Sequence, residues 1–184
     1  ATQGTISDPL APLIKVAVQK AVTYNDEIAS NWYSSNKCLG CHVVSQALVG
    51  GELNRKIITF NASQRQILFN ALTTSQQTSG AIYASHPEFA RTQTILGLLA
   101  LSSWHNKDEV ISPMAKAADY LIGQQEAAGS WTADHVSGWW PTRTANTGIT
   151  LKSMVEVDAL IKQTPSFVGL VTYSLTSLIS GGMV

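Results

Sequence analysis

The sequence predicts an all-α protein built as one domain over residues 1–184, and three observations carry that expectation. Apolar residues recur three and four positions apart, in segments that open on capping residues or prolines. The sequence has no long alternating runs of the kind that make half-buried strands. Blocks of similar pattern return at an interval of about 50 residues, giving three helical hairpins and a terminal helix.

Pro9 and Pro12 open a first segment reaching to about Ser30, with Leu13, Val16, Ala17, Ala21 and Val22 as its apolar stripe. A second helix starts within residues 37–42 and runs through Val43, Val44, Ala47 and Leu48 until Gly50 and Gly51 weaken it. Asn61 caps a third, with Gln64 as its capping-box partner and Ile67, Leu68, Ala71 and Leu72 behind it. That capping role is enough to account for the glycosylation-like pattern Asn61–Ala62–Ser63. Further helices are predicted over 87–104 and over 112–126, the latter with Ser112 as cap and Pro113 at its first position. Two more follow, over 144–163 and 164–180.

The hairpins are expected to turn near 30–32, 79–83 and 128–131, which puts Trp32, Tyr83 and Trp131 at comparable places, 51 and 48 residues apart. Arg91–Thr92 and Arg143–Thr144 follow at a separation of 52, and Cys41–His42 lies about 50 residues before the first of them. Each unit reads as an outer and an inner helix that bury one another's faces.

Within the third turn, Gln125, Gly129 and Trp131 resemble the Gln-x-x-x-Gly-x-Trp motif of terpenoid-cyclase and prenyltransferase-type α/α toroids. The resemblance implies outer and inner helices alternating around an axis over about residues 10–180, and three hairpins would make a partial toroid. It does not extend to the family's chemistry. An acidic DxDD-like stretch is missing, and so are the cysteine, histidine and acidic residues of a prenyltransferase zinc site.

Composition narrows the function classes. Hydrophobic residues make up 45% of the chain and charged residues 13%, with Lys plus Arg and Asp plus Glu equal at 12 each. No basic excess is present from which to build a nucleic-acid surface. Weak self-repulsion leaves an oligomer or multiprotein complex open, and the apolar stretch 167–184 leaves membrane association open. No nucleotide-binding glycine fingerprint, Gly-x-Ser-x-Gly elbow or His-Glu-x-x-His helix occurs, and no catalytic residue is assigned. Asp26–Glu27 and Asp108–Glu109 read as acids on helix ends or solvated faces.

The sharpest signal is Lys37–Cys38–Leu39–Gly40–Cys41–His42, which holds the only two cysteines. Two thiols at this spacing can add to the two vinyl groups of haem while the adjacent imidazole reaches iron, so Cys38 and Cys41 are the expected thioether anchors and His42 the proximal ligand. The stretch resembles the haem-binding motif of c-type cytochromes. A dithiol redox pair or half of a zinc site remain the alternatives. Haem c implies maturation outside the cytoplasm, and the leaderless opening ATQGTIS agrees with a periplasmic or extracellular protein.

For the sixth iron position, His86 is the first candidate, because its loop matches that of the motif in the adjacent hairpin; His135, a methionine or no protein ligand are the alternatives. His105 and Met114 flank the opposite connection and are expected at the far end of the helices. Ser112–Pro113–Met114 also resembles, in reversed order, the Met-Pro neighbourhood of small class I cytochromes c. That resemblance makes an enlarged class I fold the alternative architecture. Arg91 and Arg143 are candidate partners of haem propionates. Trp32 is the aromatic expected nearest the porphyrin, with Tyr83, Phe89, Trp131, Trp139 and Trp140 as further candidates for its wall. The expected function is single-electron transfer to a redox protein partner. An open-site haem enzyme or small-ligand sensor is one alternative, and an assembly subunit stabilised by haem is the other.

Overall fold

The computed structural model describes residues 10–40, 42–132, 134 and 143–163, the side chains of Arg143, Thr144 and Ile161 excepted. These form six α-helices: α1 Ala11–Asn36, α2 Val43–Leu53, α3 Ala62–Thr74, α4 Ala90–Ser103, α5 Lys107–Gly123 and α6 Arg143–Gln163. A 3-10 turn, Pro87–Phe89, leads into α4. Among the described residues no strand forms; one isolated bridge pairs Gln76 with Ile82. The expected helix over 164–180 lies outside the described residues.

The helices pack in two rows. α4 touches α2 on one side and α6 on the other, so α2, α4 and α6 stand side by side. α1 and α3 cover α2, while α5 packs on both α4 and α6. The α2, α4 and α6 row gathers the core, and α4 is buried on nearly every side, from Thr92 to Ser102. Its 14 residues therefore lack the one-sided pattern of a surface helix. Phe69 of α3 stacks on Trp104 after α4, with ring centroids 4.3 Å apart and planes 14° from parallel. Such a pair adds about 0.5–1.5 kcal/mol beyond its area burial.

Several boundaries depart from the sequence reading. α1 runs to Asn36 and is stopped by Lys37, in the left-handed region at φ 49°, whose N–H donates to Tyr33 O. The first turn therefore lies at 37–42, and Trp32 is a helical residue. Only Val22 of the predicted α1 stripe is buried; Leu13 and Val16 are exposed. α2 continues through both glycines, since Gly51 faces Arg65 so closely that a Cβ there would collide with its guanidinium. α5 begins five residues before Ser112, leaving Pro113 inside the helix, with Asp108 and Glu109 in the first turn to favour its dipole. Asn61 does cap α3, its Oδ1 accepting from the Gln64 N–H at 3.1 Å, but the Gln64 side chain donates to Asp26 O instead of returning to the cap.

The repeat is visible in hydrogen bonds. In the turn after α3, Gln77 N–H donates to Ala81 O (2.8 Å), Gly80 N–H to Gln77 O (2.9 Å), and Gln76 Nε2 to Gly80 O (3.2 Å). After α5 the same three bonds recur 49 residues on: Glu126 N–H to Ser130 O (3.0 Å), Gly129 N–H to Glu126 O (2.8 Å), Gln125 Nε2 to Gly129 O (2.9 Å). Gly80 and Gly129 take φ of 89° and 80°, a region that side chains with a Cβ rarely enter. Ile82 and Trp131, both at 0% exposure, donate their N–H groups to Thr94 Oγ1 and Thr147 Oγ1. The counterpart of Trp131 is thus Ile82, not Tyr83, and Gln76–Gly80–Ile82 is a second copy of the Gln-x-x-x-Gly-x-aromatic pattern with an aliphatic residue in the aromatic place.

Candidate functional site

The cysteine-bearing loop links α1 to α2. Cys38 is buried and its Sγ accepts a hydrogen bond from Gly40 N–H at 3.3 Å, while Cys41 lies outside the described residues. Gly40 holds φ 63°, and a Cβ on it would come within 2.7 Å of Trp32 Nε1. Trp32, placed by the extra turns of α1, therefore stands directly against the loop, with its outer side exposed.

His42 is half-buried at the N-cap of α2. Three, four, seven and eight positions on, Ser45, Gln46, Val49 and Gly50 share its side of the helix. Those four, with Leu96 and Leu99 of α4 and Ile149 of α6, line a predominantly apolar groove of about 260 Å³. One turn nearer the N-terminal ends than Ser45, Leu96 and Ile149 are His42, Gln93 and Asn146. Gln93 and Asn146 are buried, and Gln93 Oε1 and both polar atoms of the Asn146 amide lack hydrogen-bond partners. Leaving a buried amide unpaired costs about 1–3 kcal/mol, so this layer holds a polar cost that the fold itself does not offset.

His86 lies at the same end, since its carbonyl accepts from Gln93 Nε2 at 3.4 Å. Its exposed ring has Nδ1 3.0 Å from Glu88 Oε1, and the Glu88 carboxyl is held below its usual range by a backbone hydrogen bond and by His86. In the neutral ring, an Nδ1–H directed at this carboxylate leaves the lone pair on Nε2. Phe89 packs near this ring, with centroids 6.0 Å apart.

Arg91 Nε is 3.3 Å from Asp134 Oδ1, whose Oδ2 also accepts Thr92 N–H at 2.7 Å. Arg91 thus ties the turn after Trp131 to the start of α4. Arg143 opens α6, and its side chain lies outside the described residues, as do His135, Trp139 and Trp140. Trp131 is core: its Nε1 donates to Leu121 O at 2.7 Å. Met114 is buried in the same core, in α5.

His105 is at the other end of α2, with Nδ1 3.2 Å from Glu52 Oε2. The ten residues from His42 to Glu52 rise about 15 Å, which separates the two ends. Here the structure also assembles a buried charge cluster that nothing in the sequence pattern announces. Arg65 Nη1 meets Asp26 Oδ1 at 2.9 Å and its Nη2 meets Glu52 Oε1 at 3.2 Å, all three side chains nearly inaccessible. Arg65 also donates to Leu48 O (2.7 Å) and Ala47 O (3.3 Å). Asp26, read from sequence as a solvated acid, is 2% exposed. Burial pushes its carboxyl above the ordinary range, with Arg65 opposing the shift. Lys107, beside this end, is shifted downward by burial.

No family model, curated protein or solved structure matches the chain. Among the described residues, no helix is long and apolar enough to cross a membrane.

Proposed function

We propose that this chain is a monohaem c-type electron-transfer protein. Cys38 and Cys41 anchor the porphyrin, and His42 is its proximal ligand. The observation that carries this reading is the layer around His42. The first residue of the α2 face that lines an apolar groove is an imidazole, and the unpartnered Gln93 Oε1 and Asn146 amide lie at the same height. The groove, about 260 Å³, offers an apolar wall for one part of a porphyrin and not a full enclosure, and the unpartnered Gln93 Oε1 and Asn146 amide suit polar groups brought by a prosthetic group. When bound, haem supplies a one-electron ferric/ferrous couple.

Each residue has a defined part. The Cys38 thiol is oriented by Gly40 N–H, and Trp32 covers the turn that spaces the two cysteines. His86, with Glu88 fixing its tautomer, is the candidate for the second axial position, an arrangement common to metal-binding histidines. Arg143 remains a candidate propionate partner, whereas the Arg91 guanidinium already faces Asp134. The architecture we propose is an arc of α/α hairpins, a partial toroid. Its support is the side-by-side row of α2, α4 and α6 and the duplicated glutamine–glycine turns. A location outside the cytoplasm and a protein redox partner follow from the haem c reading.

A second reading, small-ligand binding or catalysis at an open iron position, is favoured by the same unpartnered Gln93 Oε1 and Asn146 amide. The decisive measurement is intact mass on chain matured in a host that attaches haem c. Addition of one haem with both thiols consumed is the expected result; an unmodified mass with two free thiols ends the proposal.

A further inference from the structure

The two glutamine–glycine turns differ in what lies beyond them. In the first, Gln76 Nε2 makes a second hydrogen bond, to Pro113 O of α5 at 2.8 Å. Gly80 lies on the same helix, so close that a Cβ there would run into the Lys116 carbonyl and come within 3.3 Å of Tyr120 Cβ. The turn closing hairpin two is thus a dock for the outer helix of hairpin three: a side-chain amide grips one carbonyl, and a bare glycine backbone seats the next turn. The Gln125–Gly129 turn reproduces the internal geometry of that dock bond for bond, including the positive φ at glycine.

The chain continues past α6 with a segment of matching pattern. Thr164–Pro165 follows Ser112–Pro113 by 52 residues, the interval that separates Arg143–Thr144 from Arg91–Thr92. At that spacing Phe167, Gly169 and Leu170 fall at the places of Ala115, Ala117 and Ala118, all three buried in α5. α6 also has a face to offer. Gly148, Leu151, Val155 and Ala159 line one side of it, with Leu151 42% and Val155 64% exposed.

We infer that residues 164–180 dock as a further outer helix on the Gln125–Gly129 turn and on the exposed face of α6, as α5 docks on the Gln76–Gly80 turn and α4. The amide of Gln125 takes a carbonyl near Pro165, and the bare backbone of Gly129 admits the helix at contact distance. This surface is independent of the haem reading, because it uses no residue of the cysteine-bearing loop.

Hydrogen–deuterium exchange on the full chain tests it, read at the amides of 166–178 over a range of protein concentrations with mass measured in parallel. Protection at least tenfold above that of an unfolded chain, unchanged with concentration in the monomer, is the expected result. Gln125→Leu should cut that protection about tenfold while Gln76→Leu leaves it intact. Should Gln125→Leu fail to fold, Val155→Lys serves as the second variant and should lower the same protection. Unprotected amides at every concentration would overturn the inference. So would protection that appears only with dimer, which would make a second copy the occupant, or protection indifferent to both variants.

Discussion

At the scale of single residues, the most consequential contacts join positions far apart in the chain. Arg65 is an ordinary polar position of a helical pattern, yet it sits at the centre of a buried cluster with Asp26 and Glu52, 39 and 13 residues away. Arg65→Ala leaves the buried Asp26 carboxylate without its cation and Glu52 with only Arg55 and His105 beside it, and should cost about 3–5 kcal/mol in urea unfolding. Asp26→Asn behaves differently, because Arg65 keeps Glu52 as a charge partner. The folded-state value of Asp26 is raised above 3.8, so between that value and the raised one the folded chain holds more proton than the unfolded chain. Wild-type stability from this group is therefore fully present below 3.8 and is lost as pH rises through the raised value. Denaturant melts of the two proteins as pH rises toward neutrality should show the difference moving steadily in favour of Asn; a constant difference would contradict the assignment.

At the scale of elements, sequence was most informative where one residue type has one physical use. Asn61 as a cap was legible because its side chain acts on an N–H three residues away. The Gln125–Gly129–Trp131 turn was legible for the same reason. Its partner at Gln76–Gly80–Ile82 is masked because an aliphatic residue takes the aromatic place and Tyr83 lies one residue beyond it; the signal the two turns share is Gln and Gly four apart. Gly80→Ala meets both a positive φ and the Lys116 carbonyl, so it should destabilise by about 2–4 kcal/mol in thermal or urea unfolding, more than the roughly 1 kcal/mol expected for Asn61→Ala. Comparable losses for the two variants would mean that the turn is not a dock. The ends of α1 and α5 depart from the sequence pattern for the converse reason. Helix length depends on what the flanking turns pack against, and Pro113 is tolerated within α5 by a helix already begun at Lys107.

At the scale of the whole molecule, the two-row packing decides which candidate ligands share an end. It puts His42, Gln93, Asn146 and the His86 loop together and sends His105 to the opposite end of α2. With His86 as the second ligand, wild-type ferrous protein should resist carbon monoxide, whereas His86→Ala should take it up and show high-spin iron in the oxidised form. Ready uptake by the wild type would favour the open-site reading, and unchanged spectra in His86→Ala would move the second ligand elsewhere.

What the sequence determined by itself was local: an all-helical chain, its principal caps and turns, and a six-residue stretch whose chemistry resembles a haem attachment motif. Periodicity and capping act over three or four residues, so they survive in one dimension. Only the tertiary structure decided that α4 is enclosed by its neighbours, that Asp26 is buried against Arg65, and that Gln93 Oε1 and the Asn146 amide, from two helices, lie unpaired at the height of His42. Those facts depend on which faces meet across tens of residues, and burial at that range is set by packing, which no short stretch of sequence encodes.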